Sequence, residues 1–472
     1  MNNERGHFGT KIGVILATAG SAVGLGNIWR FPYMTGQDGG AAFIILYFVC
    51  VILLGIPGML CEFIIGRHSS ANAARAYARM EEETRNVRKQ GEDGKQGRLL
   101  SSLRGASFIG YMGVITSMII LGFYAVVAGW CLQYLYASII GEVQGNANYV
   151  QEYFVSFSTD ALRPLIWTIV FILGTHFVVV HGVRNGIERA SNLLMPTLFI
   201  LLIIIVIASC SLPGASKGIE FLLKPDFSKV THSVMLEALG QAFFSLSLGT
   251  ACLCTYASYF SRQTNLLKSA VQIALLDSLI AILAGLMIFP AAFSVGVNPD
   301  SGPSLIFITL PNVFQQAFAS VPAVGYLIGI LFYGLLALAA LTSTISMHEI
   351  GTAFFYEELH ITRRQGAWIE TLVCCIIGIF CSLSMGAVDS LKIFGMEILN
   401  FCDYLTAQIL LPLGSFLTCL FIGWYVPRNI VRNEFTNWGT LRSTFFSAWL
   451  LIVRYVCPIC ILAIFLHQLG VI

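Results

Sequence analysis

Charged side chains are scarce in this chain. Asp, Glu, Lys and Arg make up 11% of its 472 residues, where a soluble domain carries about 25%. So little charge cannot cover the surface of a soluble protein of this length. The hydrophobic share of 56% and the mean hydropathy of +0.77 point the same way. The composition is that of a polytopic membrane protein. The alternation of a transmembrane β-strand is missing too, because runs such as Ile44–Leu54 and Leu198–Ala208 are continuously apolar. No G-x-S-x-G or H-E-x-x-H motif occurs and the eight histidines are scattered, which leaves an intramembrane enzyme without machinery. The first apolar segment carries Gly20, Gly24, Gly26, Asn27 and Arg30 but no small-residue cleavage site, so it does not read as a cleavable signal. The thirteen cysteines lie almost entirely in apolar runs. Cys457 and Cys460, and the adjacent Cys374 and Cys375, lack a second ligand pair and read as packing. A net charge of +2 gives no ground to expect nucleic acid.

What is present is a series of apolar runs. They predict an all-α membrane protein of about eleven spans, near 10–37, 41–68, 107–140, 164–181, 188–210, 235–260, 266–293, 323–357, 366–385, 395–425 and 443–468. With the N-terminus inside, twenty of the 27 Lys and Arg residues fall on the cytoplasmic side. Nine of these lie between the second and third spans. That bias fixes the orientation, and an odd number of spans puts the C-terminus outside. Arg30 and Arg454 remain at membrane depth. The polar loop at 69–104 reads as a solvated, partly helical connector. The loop at 294–322, with Pro299, Pro303, Pro311 and Pro322 and no Lys or Arg, reads as a helical cap over an external vestibule.

Two spans are not plain apolar helices. The first contains three glycines within the seven residues from Gly20 to Gly26, followed by Asn27 and Arg30. Such a density disfavours continuous helix, and unwound backbone at membrane depth is tolerated only where it lines a cavity or binds something. Free carbonyls suit sodium and a half-helix N-terminus suits an anion. The sixth span repeats the feature at Gln241–Thr250. Interruptions five spans apart point to an inverted repeat, repeat one over about 10–210 and repeat two over about 235–425, with an extra helix at about 443–468, all in one domain. Packing of small residues explains Gly20 and Gly24 alone. It does not explain a charge at membrane depth.

The segments AGSAVGLGNIWRFPY (19–33), GQAFFSLSLG (240–249), TYASY (255–259), ALTSTIS (340–346) and CDYL (402–405) resemble the neurotransmitter:sodium symporter family, bacterial amino-acid branch, with the leucine-transporter fold. The likeness runs nearly end to end. It implies two sodium sites. One comprises Ala22, Asn27, Ser245 and Asp277 with the substrate carboxylate. The other comprises Gly20, Val23, Ala339, Thr342 and Ser343. All supply the oxygen that hard cations prefer. The substrate carboxylate would meet the amides near Leu25 and Gly26 and the Tyr124 hydroxyl. Ile120, Phe244, Ser245, Ser247, Thr250, Ser343 and Met347 would line the rest of the pocket.

Glycine at position 24, where amine-transporting relatives carry an acid, implies a free α-amino acid as substrate, and the apolar lining implies a neutral, hydrophobic or aromatic one. Arg30 would pair with Asp403, assisted by Gln241, as an outer gate, and Arg5 with Glu357 as an inner one. Phe8 stands where relatives often carry Trp. Asp277 stands where the leucine transporter has an amide, which implies a fixed negative charge and transport independent of chloride. The resemblance thus implies sodium-coupled symport by alternating access in the inner (plasma) membrane, as a monomer or dimer. The alternative is a non-transporting amino-acid sensor of the same fold. Glu62 reads as a structural partner of the sixth span. His348 and Glu349 read as interior packing or a proton relay, and Arg454 as a snorkelling side chain.

Overall fold

The computed structural model describes residues 7–89, 105–296, 305–388, 390–442 and 444–468. Among them, nine helices are long and apolar enough to cross a membrane, ten when a bent pair is taken as one span. The chain begins with that pair, α1 (Lys11–Ala22) and α2 (Gly26–Gln37), bent by 56°. Then come α3 (Ala41–Ser69), α4 (Ala73–Lys89), α5 (Ser107–Ile140), α6 (Ala147–Ser158), α7 (Arg163–Val180) and α8 (Val183–Cys210). After the short α9 (Ala215–Leu223) come two half-helices, α10 (His232–Ser245) and α11 (Cys252–Ala257). The second half runs through α12 (Leu266–Ser294), α13 (Leu310–Ala317), α14 (Pro322–Glu358) and α15 (Arg363–Leu383). It closes with α16 (Ile398–Tyr425), α17 (Arg428–Phe435) and α18 (Phe446–His467). Each expected span lies within five residues of a helix or half-helix pair.

The breaks follow from local chemistry. Thr10 caps α1 by accepting the Gly13 N–H at 2.9 Å. Helix α1 stops where Val23 turns extended, at φ −72° and ψ 110°. Between α10 and α11 the backbone enters the left-handed region at Ser247, Gly249 and Ala251, so helix cannot continue. The freed amides need partners away from water. Glu62 supplies them, accepting from Gly249 at 2.8 Å and from Cys254 at 3.3 Å. This is the structural role expected of Glu62.

The long helices α5 and α14 pack along each other, with α7 and α15 against both. Helix α12 packs on α8 and α9, and α1 lies against α14 and α8. The connector expected to be solvated is not wholly so. Helix α4 buries Ala73, Ala76, Tyr77, Met80 and Thr84, and the Tyr77 hydroxyl bonds the Thr418 hydroxyl at 2.7 Å. Gly110 permits the docking, because a Cβ there would stand 2.4 Å from the Ala73 carbonyl oxygen. Part of the segment expected to form a cap is helical, as α13, while 297–304 lie outside the described residues.

Candidate functional site

The break between α1 and α2 gathers two groups of oxygen atoms. On one side stand Asn27, Ser245 and Asp277. The Asn27 amide nitrogen donates to Asp277 Oδ1 at 2.7 Å, to the Asp277 carbonyl at 3.2 Å and to Ser245 Oγ at 3.1 Å. Ser245 Oγ donates to Asp277 Oδ2 at 2.7 Å. Asn27 Oδ1 accepts the Gly24 N–H at 3.1 Å, which ties the cluster to the bend. Tyr47 also belongs here, its hydroxyl 3.1 Å from Asp277 Oδ2 and 3.3 Å from Ser245 Oγ. Sequence reasoning missed Tyr47 because one hydroxyl inside an apolar run carries no signal. Asp277 is fully buried, and three donors satisfy its carboxylate. Ala22 is the buried last residue of α1.

The second group faces the other side of the bend. Thr342 Oγ1 and Ser343 Oγ reach the Val23 carbonyl at 3.2 and 3.1 Å. Thr342 Oγ1 also reaches the Ala339 carbonyl at 2.9 Å. A Cβ on Gly20 would touch Thr342 Cβ at 3.4 Å. Val23, Ala339, Thr342 and Ser343 therefore meet as one oxygen-rich set, with Gly20 packed beside Thr342. Its carbonyls and hydroxyls suit a hard monovalent cation.

Between the two groups runs the bent backbone. The Leu25 N–H donates to the Tyr124 hydroxyl at 3.0 Å. Gly24 has no room for a side chain: a Cβ would stand 2.4 Å from Ser343 Oγ and 2.9 Å from the Tyr124 oxygen. On Gly26 it would stand 2.9 Å from the Phe244 ring. Ile120 is buried, and Phe244, Ser247 and Met347 are half-buried. Ser247 Oγ donates to the Ser21 carbonyl at 3.2 Å and joins the two breaks. The Thr250 hydroxyl is committed to the backbone, donating to the Ser247 carbonyl at 2.7 Å and accepting from Cys252 at 3.1 Å.

At one end, Arg30 stacks on Phe244 with its guanidinium 4.3 Å from the ring centroid. Asp403 is near enough to attract it electrostatically, without a hydrogen-bonded ion pair among the described residues. The Gln241 amide is buried and unbonded among the described residues, so it does not hold Arg30 in this conformation. At the opposite end, Glu357 accepts from the Asn72 backbone at 2.8 Å and side chain at 3.0 Å. Arg5 lies outside the described residues. Phe8 packs edge-on against Tyr256 and Tyr259 at 5.9 and 6.2 Å.

Sequence reasoning also missed Glu188 of α8. It accepts from the Gly9 and Thr10 amides at 2.7 and 3.0 Å and clamps the entry to α1. Glu349 takes the Tyr259 hydroxyl at 2.6 Å and pairs with Arg363. His348 bonds Thr352 and Thr371 at 3.0 and 2.8 Å. Both sit in packed, bonded surroundings. The Arg454 Nε donates to the Gly423 carbonyl at 2.5 Å.

A family model described as the sodium:neurotransmitter symporter family matches residues 5–87 and 145–472. An uncharacterized sodium-dependent transporter, YhdH of Bacillus subtilis, is 37% identical over 468 residues, covering 98% of each chain. One from Haemophilus influenzae is 33% identical over 99% of each. Among solved structures, MhsT in complex with L-phenylalanine superposes with a TM-score of 0.84 and 38% identity, covering 98% of this chain and 100% of that one.

Proposed function

This chain belongs to the sodium:neurotransmitter symporter family, and from that premise we propose that it carries a neutral, hydrophobic or aromatic L-amino acid into the cell together with sodium. It is a sodium-dependent, multi-pass membrane transporter with the fold of MhsT, not an enzyme. The observation that carries the finer reading is Gly24. A side chain there would strike Ser343 and Tyr124. The protein therefore supplies no anion at that point, and the ligand's own carboxylate fills the role. That carboxylate would lie against the Leu25 and Gly26 amides and the Tyr124 hydroxyl, next to the ion held by Asn27, Ser245 and Asp277. MhsT was solved with L-phenylalanine, which supports the substrate class.

Two sodium sites are proposed at the two oxygen groups, Ala22, Asn27, Ser245 and Asp277 for one, Gly20, Val23, Ala339, Thr342 and Ser343 for the other. Coupling follows because ion and amino acid complete each other's site, so each raises the other's affinity by the same factor. Asp277 brings one fixed negative charge, so chloride is not required. The breaks let the half-helices move separately and open the path alternately, past Arg30, Gln241 and Asp403 on one side and past Arg5 and Glu357 on the other. The chain is read as one domain of two inverted repeats plus a last helix, with the N-terminus cytoplasmic and the C-terminus outside. Asn27→Ala tests the reading. It should weaken sodium-dependent amino-acid binding at least tenfold, and an unchanged sodium dependence refutes the first site.

A further inference from the structure

All thirteen cysteines are free thiols, and one pair of them lies where two spans meet at their ends. Helix α15 ends at Leu383 and the chain returns as α16 from Ile398. The ends are tied together by Ser384: the Leu399 N–H donates to Ser384 Oγ at 3.4 Å, and that hydroxyl donates to the Cys381 carbonyl at 2.8 Å. Position 381 lies three residues before 384, and position 402 lies three residues after 399. Residues three apart share a helix face, so each cysteine sits one turn further in from this contact, on the same side. Cys381 and Cys402 therefore face each other, and their thiols are hydrogen-bonding neighbours. Cys381 is fully buried and Cys402 half-buried. Cys402 is also only four residues inside the end of α16, about 6 Å along the axis. The other thiols that hydrogen-bond between helices, Cys61 of α3, Cys419 of α16 and Cys457 of α18, are all buried.

An accessible thiol beside an enclosed one is the arrangement of a cysteine that is oxidised and a second that resolves it. We propose that Cys381 and Cys402 are a redox-sensitive pair that closes to a disulfide when a hydroperoxide reaches it. The hydroperoxide oxidises the Cys402 thiol to a sulfenic acid and is itself reduced to an alcohol, or to water where it is hydrogen peroxide. The Cys381 sulfur then attacks the Cys402 sulfur. An S–S bond forms, and the sulfenic hydroxyl leaves with the Cys381 proton as water. A dithiol reopens the bond by thiol–disulfide exchange and is oxidised to its own disulfide. The orientation proposed above puts the turn between α15 and α16 outside, where oxidising conditions prevail. Cys402 directly precedes Asp403, the proposed gate partner of Arg30. A disulfide pins this start of α16 to α15 and restricts the approach of Asp403 to Arg30, so oxidation slows transport. Only that effect on uptake and the compartment rest on the function proposed above; the disulfide itself does not.

The full-length protein in lipid nanodiscs would be treated with hydrogen peroxide, then denatured and alkylated, and its disulfide-linked peptides identified by mass spectrometry. Oxidation should lower the alkylated thiols of the wild type from thirteen to eleven, with the linkage between Cys381 and Cys402, and dithiothreitol should restore all thirteen. Cys402→Ser should keep its twelve remaining thiols through the same treatment. In proteoliposomes, peroxide should cut sodium-driven L-phenylalanine uptake by the wild type several-fold. Dithiothreitol should reverse the loss, and Cys402→Ser should resist it. Absence of the Cys381–Cys402 linkage from the oxidised wild type, or linkage of a different pair in its place, overturns the proposal. A linkage that forms while uptake stays unchanged overturns the control of transport. Should the untreated protein carry no amino acid, the function proposed above fails, while the thiol count in the wild type still decides the pair.

Discussion

At the scale of single residues, the site depends on one missing side chain and one buried carboxylate. Gly24 lets Ser343 and Tyr124 approach the bent backbone, with 2.4 Å the clearance a Cβ would have. Gly24→Ala should weaken L-phenylalanine binding at least tenfold, about 1.4 kcal/mol, measured by equilibrium binding in saturating sodium. Asp277→Asn keeps the shape of the side chain and removes its charge, so the sodium concentration for half-maximal binding should rise, and because one acceptor is left where three donors meet the melting temperature should fall as well. A pH effect is expected in the turn after α2. Burial first, and then the neighbouring Glu237, push the Asp38 carboxyl up to about 8. The folded protein thus holds this proton more tightly than the unfolded chain. The stabilisation is full below the ordinary carboxylate range and is lost as pH rises through about 8. Melting temperature should fall between pH 4 and pH 9, and Asp38→Asn should flatten that slope.

At the scale of elements, the two breaks are held open by different means, and this decides what the sequence reveals. The first was legible because three glycines and an asparagine interrupt an apolar run where helix was otherwise expected. The second was legible from Gln241–Thr250, and Glu62 was expected as its partner. Glu62→Gln leaves one acceptor where two amides donate, so it should cost about 1–3 kcal/mol, read as a lower melting temperature. Gly249→Ala should cost more, because φ is +81° and a Cβ would stand 2.4 Å from the Leu411 carbonyl. What stayed hidden are contacts across long separations. Glu188 reaches Gly9 over 179 positions, and Tyr47 is one hydroxyl among apolar neighbours. Helix α4 was misread because its charges suggested a solvated connector, while small residues and Tyr77 form its docking face. Removing the Glu188 clamp with Glu188→Ala should speed amide exchange at Gly9 and Thr10, leaving α12 unchanged.

At the scale of the whole molecule, membrane class and span positions followed from how little charge the chain has and where it sits. The family followed from short segments around the breaks. The choice of cargo is a finer matter of shape. Asp277 predicts independence from chloride: replacing it with gluconate should leave uptake unchanged. The most direct test of the central claim is accumulation in proteoliposomes under an imposed sodium gradient, with labelled L-phenylalanine and all twenty amino acids as competitors. The account predicts accumulation only when sodium is high outside, and competition by neutral hydrophobic and aromatic amino acids but not by charged ones. Failure of any amino acid to accumulate under a sodium gradient would contradict it.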